Sequence, residues 1–225
     1  VLKTIAIVAM LIDHVAYAFV PQDLPLYTVM RFIGRITGPT MFYFIVEGYH
    51  HTRNKNKSTS RLFLFALVSY FPFVLFQGKG QITVDGLLHL NVIYTLFIGL
   101  LVVRARHEIK NVFLKYLAIA ALIYLSLPGD WSYIAILMII VFDVFYGDFK
   151  KQAFGYLLVI GGVRNLLNVL LYPGTMLLYK MPIDWSVSTP YIAEFGMVLP
   201  LILLYFYNGQ NGGGGGLGPG TGLTD

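Results

Sequence analysis

Apolar runs of roughly 16–20 residues, close to what a helix needs to cross a bilayer, recur along this chain. They are separated only by short breaks rich in Pro, Gly and charge. About eight candidate helices result, at 2–20, 28–50, 61–77, 87–103, 112–127, 131–146, 153–172 and 190–207. Of the 225 residues, 57% are hydrophobic and 12% are charged, and mean hydropathy is +0.70. Soluble domains carry about 25% charged residues, so half the usual supply is left for a wetted surface. The expected fold is all-α, a polytopic transmembrane helical bundle forming one membrane domain over residues 1–207.

The formal net charge of +5 does not point to nucleic acid, because the basic residues sit in short connections between the runs. One set of alternate connections holds Lys3, then Arg53, Lys55, Lys57 and Arg61, then Arg104, Arg106 and Lys110, then Lys150 and Lys151. The other set holds Lys79 and Lys180 beside Asp23, Asp85, Asp130 and Asp184. Cytoplasmic loops collect Lys and Arg, so both termini are expected in the cytoplasm. Cysteine is absent, which excludes disulfides, thiolate metal sites and a cysteine nucleophile.

Lys3, the apolar residues 5–12 and Ala16-Tyr17-Ala18 have the layout of a signal peptide. Asp13-His14 interrupts the approach to that cleavage site and the apolar run resumes through Val20, so retention as a span is expected. Without an initiating Met, a few further residues are expected in front. Ala6, Ala9, Asp13 and Ala16 share one face, small enough for another helix to come close. Gly38-Pro39 and Pro72 are expected to kink their helices. From Asn208 the chain reads as a flexible Gly-rich tail, 208–225, whose G-x-G-x-x-G echoes follow no strand and open no helix.

Ionisable residues inside the runs carry the chemistry. Each costs roughly 2.5–3.5 kcal/mol at a bilayer centre and so faces a partner or a polar cavity. At about 1.5 Å of rise per residue, Asp13 and His14 lie about 17 Å along the first helix, near mid-bilayer. Arg31 and Arg35 are four apart on one face, about 5 and 10 Å below the opposite edge. Arg164, followed by Asn165 and Asn168, falls at nearly the depth of Asp13, with Asn91 and Thr95 in the same half. Asp13 is expected to pair with Arg35 or Arg164. Glu47, His50, His51 and Arg53 form a second group at the cytoplasmic end, and one polar cavity reaching toward both faces is the simplest layout.

The segments IDH at 12–14, RFIGRITGP at 31–39, FIVEGYHHTRN at 44–54 and LNVIYTLFIGL at 90–100 resemble the TraX family. The likeness covers most of 2–210, including GDWSYIAILMI at 129–139 and FYNG at 206–209. The family places acidic residues around Pro-Phe in the third helix, where this chain has SYFPFV. It also runs past YNG into a last helix with an aromatic-Tyr-Pro-x-His element, where this chain has its Gly-rich tail. The resemblance implies a multi-pass protein of the bacterial cytoplasmic (inner) membrane, acting in pilin acetylation during conjugation. It also implies an acyltransferase that takes its acyl group from cytoplasmic acyl-CoA, acetyl-CoA in the first instance. The acceptor is then a protein amine or a glycan hydroxyl, with membrane lipid around it and no nucleic acid partner.

On that reading His14 is the general base, the role for which imidazole is the commonest choice, or else a core histidine bonded to a neighbouring helix. Arg35, with Arg31, stabilises an oxyanion or holds a CoA phosphate, or else pairs structurally with Asp13. Glu47, His50, His51 and Arg53, with Asn91, Arg164 and Asn165, are the candidates for substrate and CoA binding, orientation alone being the rival account of the basic loop. Adjacent His50-His51 lacks the i,i+4 spacing of two zinc ligands on one helix, so no metal is expected. Neither a G-x-S-x-G elbow nor a P-loop is present. A proton-coupled transporter using Asp13, His14, Arg35 and Arg164 is the alternative from another class, and an inactive assembly subunit is a third.

Overall fold

The computed structural model describes residues 2–164 and 195–207. Among them there is no strand, only an isolated backbone bridge between Leu90 and Gly129. The helices are α1 (Leu2–Phe19), α2 (Pro25–Gly34), α3 (Thr37–His51), α4 (Lys55–Gln77), α5 (Val84–Leu88), α6 (Val92–Glu108), α7 (Val112–Leu125), α8 (Ser132–Val144), α9 (Phe149–Leu158) and α10 (Leu199–Tyr205). A π-helical stretch, Val159–Arg164, prolongs α9, and a 3-10 turn, Phe195–Val198, leads into α10. The tail from 208 lies outside the described residues.

The expected single span 28–50 is in fact two helices. The chain breaks at Arg35–Ile36, ahead of Gly38-Pro39, which places Pro39 in the first turn of α3. There its missing N–H removes no helical hydrogen bond. The expected span 61–77 starts earlier, at Lys55, because Asn54 caps it by accepting from Lys57 N at 2.9 Å. In place of 87–103, a short α5 precedes an α6 that runs to Glu108.

Small residues seat the helices. Ala6, Ala9 and Ala16 of α1 are buried, as their shared face suggested, and Thr37 Oγ1 donates to the Ala6 carbonyl at 3.0 Å. The main core gathers Phe42, Val46, Leu100, Met138, Phe142 and Tyr156 between α3, α6, α8 and α9. Tyr156 Oη donates to the Met197 carbonyl at 2.7 Å, which ties α9 to the 3-10 turn.

The periphery is apolar. No residue of α7 is buried, and Leu64, Phe65 and Val68 of α4 are 61–66% exposed. Apolar surface on this scale is out of place in water and suits lipid. By length and composition α1 and α4 can cross a membrane.

Candidate functional site

A cavity of about 350 Å³ opens where α1, the end of α2, the start of α3 and the α7–α8 connection meet. That is within the roughly 300–1,000 Å³ typical of ligand pockets. Asp13 and His14 enter it from α1, Arg31 and Arg35 from α2 and its end, and Asp130 and Trp131 from the connection. The connection is held by backbone: Leu90 N donates to the Pro128 carbonyl and Asp130 N to the Leu90 carbonyl, both at 2.9 Å. On the same wall Ser132 has φ +48°, a left-handed backbone that non-glycine residues adopt at a cost.

Four of the residues singled out in the sequence therefore converge. Their pairing differs from expectation. Asp13 Oδ2 accepts from Arg31 Nη1 at 2.7 Å, so among the described residues Arg31, the structural alternative weighed for it, is the partner in place of Arg35. The break after Gly34 explains the difference, because α2 is a separate short helix lying on α1. Gly34 makes the approach possible: a Cβ there would sit 2.1 Å from Asp13 Oδ1. That oxygen is buried and takes no hydrogen bond among the described residues. Arg35 lies over the Trp131 ring at 5.7 Å and within electrostatic reach of both Asp13 and Asp130.

His14 Nδ1 lies 2.8 Å from the Met10 carbonyl. A carbonyl only accepts, so in the neutral ring Nδ1 carries the proton and Nε2 keeps its lone pair. The ring also packs on Phe76, with centroids 5.1 Å apart. A base held in one tautomer beside two arginines is competent for proton abstraction next to a developing negative charge.

The expected continuous cavity is not what the described residues form. Glu47, His50, His51 and Arg53 do not line it. His50 is twelve positions beyond Gly38 on α3, about 18 Å away along the helix. Arg53 is exposed in the turn before α4. Glu47 sits among the phenols of Tyr43, Tyr146 and Tyr207. His51 Nδ1 is 3.0 Å from the Glu47 carbonyl.

Asn91 caps the N-terminus of α6. Its side chain accepts from Tyr94 N at 2.9 Å and donates to Ser69 Oγ at 2.9 Å, so its groups are spent on joining α6 to α4. Arg164 closes the π-helical stretch, its side chain lies outside the described residues, and so do Asn165 and Asn168.

Two acids escaped the sequence reading. Asp130 looked like a loop charge on the outer side. Asp143, inside the apolar run ILMIIVFDVF, carried the same signal as Asp13 and went unread. Its fully buried carboxylate pairs with Arg106 and receives His50 and His107, each with Nε2 at 3.0 Å from Oδ1.

Comparison with known proteins gives one consistent result. The family model described as TraX protein matches residues 1–209. The probable fimbrial assembly protein FimC, serogroup H1, of Dichelobacter nodosus is 31% identical over 217 residues, covering 94% of this chain and 84% of that protein. No solved structure matches the chain.

Proposed function

The chain belongs to the TraX family, and from that premise we propose that it is an integral-membrane acyltransferase serving pilus or fimbria assembly. The donor is acetyl-CoA, and the acceptor is a subunit amine or a glycan hydroxyl presented at the cavity. The observation that carries this reading is the meeting of His14, Asp13, Arg31, Arg35 and Asp130 around one 350 Å³ cavity.

For an amine acceptor, the nitrogen attacks the thioester carbonyl carbon, forming a C–N bond as the C–S bond breaks. His14 Nε2 takes the amine proton and returns it to the departing sulfur. Arg35 stabilises the oxyanion, while Arg31 stays engaged with Asp13 and fixes α2 against α1. No covalent enzyme intermediate is needed. The basic turn before α4 and the start of that helix, with Arg53, Lys55 and Lys57, meet the CoA phosphates, and the pantetheine arm crosses the intervening depth.

The finer topology belongs to the same proposal: about eight crossings of the inner membrane with both termini in the cytoplasm. The apolar surfaces of α4 and α7 support it, since they would face lipid.

The test is direct transfer. Purified protein in liposomes receives acetyl-CoA labelled in the acetyl group and a peptide with a free pilin-type amino terminus. Label in the peptide with equimolar free CoA is the expected result. Passage of labelled acetyl-CoA or of the peptide across the bilayer, with the thioester unbroken, favours a carrier.

A further inference from the structure

The second polar cluster lies at the far end of α3 from the cavity and plays no part in the transfer just described. His50 is in the last turn of α3, His107 in the last turn of α6 and Asp143 in the last turn of α8. Three helix C-termini thus bring their partial negative charge to one point, a setting that favours a cation. We propose that His50 Nε2, His107 Nε2 and Asp143 Oδ1 form a binding site for a divalent transition-metal ion of the zinc class.

Geometry comes first. The three atoms lie within 4.8 Å of one another, and each imidazole nitrogen is 3.0 Å from the carboxylate oxygen. Metal–ligand bonds of about 2.0–2.1 Å set tetrahedral donors about 3.3 Å apart, and both nitrogen–oxygen pairs are within a few tenths of an ångström of that spacing. The rings cross at 89°, so the two nitrogens converge without stacking.

Donor chemistry selects the ion. Two imidazoles and one carboxylate suit zinc, cobalt, nickel or copper, whereas magnesium and calcium ask for oxygen ligands. Three protein ligands leave a coordination position open. Arg106 pairs with Asp143 Oδ2 and holds the carboxylate, the outer support that metal ligands commonly have; Oδ1 faces His50, while His107 Nε2 lies 3.0 and 3.1 Å from the two oxygens. Tyr146 stacks on His50 at 3.9 Å and walls one side. The His107 side chain is 40% exposed, which leaves an ion a way in.

The competing account is a metal-free cluster in which both imidazoles donate to Asp143. It makes the opposite prediction for metal titration. The EDTA-treated full chain in detergent is titrated with Co²⁺, reading visible d–d absorbance and the metal content after gel filtration. The expected result is saturable binding of one equivalent, weakened about tenfold or more in His50→Ala and in His107→Ala, and retained in His89→Ala. These histidines are partly exposed, so the variants should fold, and Zn²⁺ should raise the melting temperature of the wild type but not of His107→Ala. Absence of saturable Co²⁺ binding, or binding that survives the His50→Ala/His107→Ala double substitution, overturns the proposal.

Discussion

Asp13 on α1 and Arg31 on α2 are joined at 2.7 Å and make the polar fastening of the cavity. Each side chain is 22% exposed, so the pair is half-buried and neither ion is fully stripped of solvent. The attraction offsets the cost of taking both charges into the bundle only while both are present. Removing Arg31 leaves Asp13 with no hydrogen bond among the described residues, because Oδ1 already has none.

Arg31→Met is therefore expected to destabilise the protein by about 2 kcal/mol, the scale of a buried acceptor left unmade. Asp13→Asn/Arg31→Met should recover a good part of that loss, since a removed pair costs less than a broken one. Thermal unfolding in detergent micelles measures both. Equal losses in the single and double variants would mean that the contact is not a coupled pair.

Gly34 and Gly48 offer a paired test on packing. Gly34 has no room for a Cβ, which would meet Asp13 Oδ1, Cβ and Cγ at 2.1–2.5 Å. Gly34→Ala should push α2 off α1 and lower both stability and any transfer activity. Gly48, inside α3, has nothing within 4 Å of a built Cβ. Gly48→Ala should raise stability by about 0.5–1 kcal/mol through helix propensity alone. Melting temperatures moving in the same direction would contradict this account.

His14→Asn separates the roles of the two ring nitrogens. The amide NH₂ of Asn can replace Nδ1–H as donor to the Met10 carbonyl, yet it supplies no base where Nε2 stood. The variant should fold with little change in melting temperature. Its release of free CoA in the presence of acceptor should fall by about 10²–10⁴-fold. Turnover within about tenfold of wild type would remove His14 from the base role.

How far the sequence could be read follows from which signals are local. Asp13, His14, Arg31 and Arg35 stood out because a charge inside an apolar run is costly wherever the run packs, and the structure does gather them. Their pairing was not legible, since depth was counted along one helix from 28 to 50, whereas the chain breaks at Arg35–Ile36 and the helices on either side have different neighbours. Asp130 gained its place from a fold-back fixed by backbone bonds to Leu90, which no side-chain pattern announces. Asp143 carried a readable signal. Its partners His50 and His107 sit on helices distant in sequence, so considering His50 beside its neighbour His51 could not find them.

Sidedness has a simple probe because the chain contains no cysteine. Each introduced thiol is then the sole target of a membrane-impermeant maleimide. Lys57→Cys and Lys110→Cys, both at exposed positions, should label only when the cytoplasmic face is open to the reagent. Gln81→Cys should label from the opposite face. Labelling of all three from one side would overturn the alternation of basic and acidic connections.

Asp148 provides a pH test outside the apolar helices. It caps α9, accepting from Lys151 N at 3.1 Å, and its other oxygen meets Lys151 Nζ at 2.9 Å. The Lys151 ammonium first, and its backbone N–H second, hold the carboxyl below its ordinary value of 3.8. The folded state thus binds this proton less readily than the unfolded one. The stabilisation is present at pH above the unfolded value, and it disappears as pH falls through the folded value. The melting-temperature gap between wild type and Asp148→Ala should be constant from about pH 8 to pH 5 and close below about pH 4. Asp148→Asn keeps a capping oxygen but no charge, so its gap should be smaller, and it should likewise close below about pH 4, where the wild-type carboxyl is itself neutral. A gap for Asp148→Ala that persists undiminished into strong acid would show that the charge contributes nothing there.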